Sequence, residues 1–194
     1  MHSICVYCGS RMGAQSAYAE AARALGKALA DRQMALIYGG GNVGLMGVLA
    51  DAVMAHGGTV IGIIPQALLD KEVGHREVSE LIIVKDMHER KLQMAERADA
   101  FIALPGGIGT LEELFETFTW LQLGFHKKPI GLLDVDGYYQ QLRSFLQHMV
   151  DQNFLRADQL AMLHHGTEAG PLLNELARFE APETERWFAR SEFI

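Results

Sequence analysis

Cysteine is scarce in this chain: Cys5 and Cys8 stand alone among 194 residues, too few for a disulfide framework. Their C-x-x-C spacing suits a redox pair, yet both lie in a strand-like run where a separation of three sends side chains to opposite faces. They read as reduced, partly buried thiols. Long apolar runs are absent too. No stretch approaches the roughly 18 residues of a membrane span, and the opening MHSICVYCGS lacks the cationic start and apolar core of a signal peptide. A cytoplasmic protein without membrane contact is expected. Positive charge is in short supply, with 17 Lys and Arg against 24 Asp and Glu and a formal charge of -7. That excludes the broad basic surface needed for a nucleic-acid backbone, although local cations and helix N-termini can still hold one phosphate. No G-x-x-x-x-G-K-[ST], no H-E-x-x-H and no clustered Cys/His spacing occurs, so P-loop chemistry and a metal centre are both unsupported. His164–His165 reads as a surface dipeptide.

Apolar residues make up 49% of the chain and charged ones 21%, a globular composition, and there are 20 glycines for tight turns. Short apolar runs alternate with longer amphipathic stretches: SICVYC, ALIYG, TVIGII, LIIV, AFIALP and PIGLL are separated by helical patterns, the last of which starts near Tyr138. This alternation predicts an α/β fold, a three-layer Rossmann-like arrangement of a mainly parallel sheet with helices on both faces. Residues 1–180 read as one nucleotide-binding domain, and 181–194 as a polar tail that carries Trp187, Phe188 and Phe193. The stretch from Pro65 to Glu80 is the longest without periodicity, as functional loops often are.

In such a sheet, ligands bind beyond the carboxyl ends of the strands, and three loops there carry chemistry. Gly39–Gly47 contains a literal G-x-G-x-x-G, but the acid that would hold a dinucleotide ribose is missing after Ile64, the next one being Asp70. A dehydrogenase is therefore disfavoured, and the glycines read either as a tight turn or as a close approach to a ligand. In Cys8–Gly13, the residues Gly9, Ser10 and Arg11 suit either a surface turn or contact with a base or phosphate.

The strongest segment is PGGIGTLEE, Pro105 to Glu113, between a strand and a helix. Its glycines let backbone N–H groups converge at the helix N-terminus, with the Thr110 hydroxyl beside them, as an anion cradle without a Walker lysine. The structural alternative is a T-x-x-E capping box, with Glu113 folding back on the helix. Helical angles put Leu111, Leu114, Phe115, Phe118 and Leu121 on an apolar stripe, with Glu113, Glu116, Thr117 and Trp120 opposite. Carboxylates there are either solvated surface or acid, base or cation-stabilising groups beside a phosphosugar. Upstream, MHERK opens a helix, and its Arg90 and Lys91 read as phosphate ligands or as ordinary surface cations.

PGGIGTLEE, preceded by MHERK and followed by TWLQLG, resembles the P-G-G-x-G-T-x-x-E signature of the Lonely Guy phosphoribohydrolases. The resemblance runs from CVYCGS through GGGNVGLMG to LLDVDGYY. It implies a homodimeric enzyme without cofactor that hydrolyses the N-glycosidic bond of a purine nucleoside 5′-monophosphate, AMP or an N6-modified adenosine nucleotide, to free base and ribose 5-phosphate. Arg90 and Glu113 match the catalytic pair, and Gly106, Gly107, Gly109 and Thr110 match the phosphate loop, with Ile108 and Leu111 of the same segment expected to bind substrate. Lys91, Glu112 and Thr119 are implied beside the substrate, as is Glu72 in the long loop, while Gly9, Ser10 and Gly41 are taken as substrate contacts from the glycine loops themselves. A carboxylate at Glu113 suits the oxocarbenium-like charge of such a reaction. The same family often carries a lysine decarboxylase label, which calls for pyridoxal phosphate and a Schiff-base lysine; none of the six lysines has such a context. The rival reading is a noncatalytic nucleotide-binding protein of the same fold, against which the presence of both Arg90 and Glu113 argues.

Overall fold

A computed structural model of the protein describes residues 1–69 and 74–181; Glu72 and the tail aromatics Trp187, Phe188 and Phe193 lie outside these described residues. Seven strands, β1 (Ser3–Tyr7), β2 (Ala35–Tyr38), β3 (Val60–Pro65), β4 (Glu80–Val84), β5 (Ala100–Ala103), β6 (Ile130–Leu133) and β7 (Leu163–Gly166), form one sheet in the order β4-β3-β2-β1-β5-β6-β7. Every pairing is parallel. Helices α1 (Ser16–Asp31), α2 (Gly44–Ala55), α3 (Gln66–Leu69), α4 (Met87–Arg97), α5 (Ile108–Gln122), α6 (Gln140–Asp151), α7 (Ala157–Leu160) and α8 (Ala169–Leu176) connect them.

The two faces of the sheet carry separate cores, and β1 shows how alternation divides them. Ile4, Val6 and Cys8 point to the face covered by α1, α2 and α8, packing with Leu25, Leu49 and Leu172. Cys5 and Tyr7 point to the face covered by α4, α5 and α6, packing with Met94, Phe118 and Leu146. The cysteines thus sit on opposite faces, both free and buried. Each large aliphatic side chain sealed this way contributes about 1.5–3 kcal/mol, so an all-parallel sheet needs both covers.

Several elements depart from the sequence reading: α3 lies in the stretch without periodicity, α7, β7 and α8 follow the last predicted helix, and α6 starts late. The strand β7 is built from LHHG, whose polar letters hide it. His164 is half-buried rather than free on the surface: its Nδ1 lies 2.7 Å from Glu175 Oε1 and its ring meets Phe179 edge-on, while His165 is exposed. The sixth helix starts at Gln140 rather than Tyr138, because Asp136 and Gly137 take left-handed backbone angles, φ 51° and 72°, and turn the chain first.

From β1 the chain winds outward through β2, β3 and β4, then returns to the other side of β1 with β5. That reversal opens a crevice beyond the carboxyl ends of β1 and β5, where doubly wound sheets bind ligands.

Candidate active site

The loops leaving β1 and β5 meet at this crevice. The Gly9 N–H donates to the Pro105 carbonyl at 3.1 Å, and a Cβ on Gly106 would lie 2.1 Å from Thr110 Oγ1 and 2.9 Å from Gly9 N. Only glycine permits that approach. Around it is a cavity of about 320 Å³, bounded by Tyr7–Ser10, Gly39, the start of α4 and the first turns of α5. Met46, Leu68, Met87 and Met94 supply an apolar wall.

Helix α5 starts at Gly107 as its N-cap, with no side-chain cap. The capping box is therefore not formed, and Thr110 lies buried inside the first turn. The earliest helical bond runs from Leu111 N–H to the Gly107 carbonyl, so the N–H groups before it have no intrahelical acceptor. A Cβ at Gly107 or Gly109 would touch nothing within 4 Å, and both residues line the cavity. Free donors and the helix dipole together suit an anion.

Arg90 is 8% exposed and comes from α4, whose N-terminus Asp86 caps by accepting from Glu89 N–H. Its Nη2 donates to the Gly39 carbonyl at 2.9 Å and its Nε to the Ile63 carbonyl at 3.2 Å. Both acceptors are neutral, as is Met87 Sδ at 3.6 Å from Nη1, and among the described residues no carboxylate forms a salt bridge with the guanidinium. A Cβ on Gly39 would lie 2.0 Å from Nη2, so a side chain there displaces the guanidinium. Across the cavity, burial lifts the Glu113 carboxyl to about 7, against the pull of Arg90; Glu112 adds to the rise and Lys91 opposes it. Glu113 is thus poised to exchange a proton near neutral pH. Lys91 is held by Glu112 at 2.5 Å and Glu116 at 2.9 Å. Desolvation followed by the charge of Glu113 pushes the Cys8 thiol far above its usual range, so Cys8 is no ionised nucleophile.

The structure brings Gly9, Ser10, Arg90, Gly107, Ile108, Gly109, Thr110, Glu112 and Glu113 to one cavity. Gly106 lies directly beneath it, and Lys91 joins through its carboxylate partners. Leu111 packs on the core beneath α5. Gly41 instead bridges to Gly74, and Thr119 is exposed with its hydroxyl on the Phe115 carbonyl. Thr117, read on the polar side of α5, is 1% exposed and donates to the Glu113 and Leu114 carbonyls. Three features escaped the sequence reading. Gly39 acts through a carbonyl, which leaves no signature in residue type. His75 is buried and meets Asp51 at 2.9 Å, with its own N–H on the Gly40 carbonyl. Tyr138 and Tyr139 reach the carbonyls of Gly106 and Leu104. Among the described residues, no group of three His, Cys, Asp or Glu side chains could hold a metal ion.

The family model described as "Possible lysine decarboxylase" matches residues 46–176. A cytokinin riboside 5′-monophosphate phosphoribohydrolase of Arabidopsis thaliana, LOG5, is 46% identical over 98% of this chain and 83% of its own length. The chain belongs to the Lonely Guy family. Its similarity to LOG of Oryza sativa subsp. japonica, a protein named for the same activity, is 50% identity over 94% of this chain and 75% of that protein. More distant solved structures share the Lonely Guy fold alone: a molybdenum cofactor binding protein of Rippkaea orientalis has a TM-score of 0.69 at 22% identity, covering 91% of this chain and 95% of that one. The structure of TM1055 has a TM-score of 0.70 at 23% identity, covering 92% and 100%.

Proposed function

We propose that this protein hydrolyses the N-glycosidic bond of purine nucleoside 5′-monophosphates, AMP or N6-modified adenosine nucleotides, releasing free base and ribose 5-phosphate. The observation that carries the reading is the juxtaposition, across one cavity, of an uncapped helix start, a buried Arg90 anchored on the Gly39 and Ile63 carbonyls and a Glu113 carboxyl raised to about 7. The 5′-phosphate docks on the N–H groups of the first turn of α5, and the purine, with any N6 substituent, lies against the methionine-rich wall. As the bond to the anomeric carbon breaks, positive charge builds on the ribose ring, and the Glu113 carboxylate stabilises it and takes a proton from the attacking water. The base leaves with the bonding electron pair and gains a proton. Arg90, fixed by the Gly39 and Ile63 carbonyls, orients the phosphosugar.

Lysine decarboxylation fits poorly. Lys91, which reaches the cavity through Glu112, is an ion-paired ammonium: desolvation pulls its pKa down, but Glu112 and Glu116 together outweigh that and raise it, the opposite of what a Schiff-base amine needs. Among the described residues no helix is long and apolar enough to cross a membrane. The proposal includes a cytoplasmic homodimer: Cys5 and Cys8 are free thiols, and Ile83 and Leu92 expose apolar surface on β4 and α4. Chromatography of AMP and isopentenyladenosine monophosphate digests tests the activity. Equal amounts of base and ribose 5-phosphate, lost in Glu113→Gln and Arg90→Ala, support it. A nucleotide bound but returned intact shifts the reading to a binding protein.

A further inference from the structure

We propose that Tyr138 is a positioning residue for substrate phosphate, acting through the peptide plane that aims the Gly107 N–H. The inference rests on the reading of the β5–α5 loop as the phosphate cradle.

Successive carbonyls of this loop are each held by a donor. Leu104 O accepts from Tyr139 Oη at 2.6 Å, Pro105 O from Gly9 N at 3.1 Å, Gly106 O from Tyr138 Oη at 2.5 Å and Gly107 O from Leu111 N at 3.2 Å. In a trans peptide the C=O and the following N–H point in opposite directions. Pinning the Gly106 carbonyl on the Tyr138 side therefore turns the Gly107 N–H away from Tyr138, and Gly107 is the open, cavity-lining N-cap of α5. Glycine-rich loops rotate readily about such a plane, so an uncapped helix start needs something outside the helix to fix its first donor. Tyr138 is itself held, edge-on against both Tyr18 and Tyr139, and its hydroxyl is presented from the turn after β6. Tyr139 is buried and belongs to the core; Tyr138 is 42% exposed, so its hydroxyl is the donor in this set that the packing of the fold does not require.

The test is Tyr138→Phe, which removes one hydroxyl and keeps the ring contacts. Binding of ribose 5-phosphate by calorimetry is measured for wild type and variant, alongside KM and kcat with AMP. The dissociation constant and KM are expected to rise together by about tenfold, with kcat changed less than about threefold and melting temperature within about 2 °C of wild type. A general structural loss would lower the melting temperature and kcat without this split. Unchanged affinity for ribose 5-phosphate, or a fall in kcat with KM unmoved, overturns the inference. A wild-type protein that neither binds ribose 5-phosphate nor cleaves a nucleotide overturns the reading on which it rests.

Discussion

Glu113→Gln separates stability from activity through pH. In the folded protein burial raises the Glu113 carboxyl from its ordinary 4.5 to about 7. A carboxyl raised by folding costs nothing where it is protonated in both states, below about 4.5, and its ionisation progressively destabilises the native state as pH climbs through about 7. At about 1.4 kcal/mol per pKa unit the full difference corresponds to about 3 kcal/mol, which solvent reaching the partly exposed carboxylate reduces to about 2 kcal/mol. Glutamine cannot ionise, so the variant's stability relative to wild type is expected to rise by about 2 kcal/mol between about pH 5 and about pH 8. Urea unfolding of both proteins at the two pH values measures this directly, with turnover of AMP lost in the variant throughout. A stability difference that is the same at both pH values refutes the account of Glu113 as a destabilised, site-directed carboxylate.

Other expectations follow from the same geometry. Gly39→Ala places a methyl group 2.0 Å from Arg90 Nη2, so kcat/KM should fall by about a hundredfold with the circular dichroism spectrum unchanged; near-normal turnover would show that the guanidinium position is unimportant. Gly106→Ala drives a Cβ against Thr110 and should cost about 1–3 kcal/mol in urea unfolding, whereas Gly107→Ala meets nothing and should change stability by less than about 0.5 kcal/mol while raising KM. Equal stabilities for the two would contradict the packing of the loops. Below about 7, kcat/KM should fall about tenfold per pH unit as Glu113 takes up a proton, and Lys91→Ala, which removes a cation that holds it down, should move that limb to higher pH. A flat profile from about pH 5 to about pH 8 would remove Glu113 from the mechanism.

The fold was legible because β1 to β6 are apolar runs and the helices between them, the short α3 excepted, have a clear period. The polar strand β7 was not, since His164 is satisfied by Glu175 in three dimensions and nothing in LHHG announces it. The two ends of the site were also legible: MHERK lies at the start of α4 and PGGIGT at the start of α5. The helical wheel misplaced Thr117, because a threonine can be buried when its hydroxyl returns to its own helix, here to the Glu113 and Leu114 carbonyls. What holds the site was hidden for a different reason. The anchors of Arg90 are backbone oxygens, and the donors to the loop carbonyls are tyrosines and a glycine from elsewhere in the chain, so no local motif encodes them.

Whether a phosphate-bearing sugar is the object of Arg90 and Glu113 is decided by the ratio of kcat/KM for AMP to that for adenosine. Cleavage of AMP to adenine and ribose 5-phosphate, with adenosine slower by a hundredfold or more on the order of magnitude expected for losing a charged anchor, is the predicted result. Equal rates on the two, or base release that persists in Glu113→Gln, would contradict it.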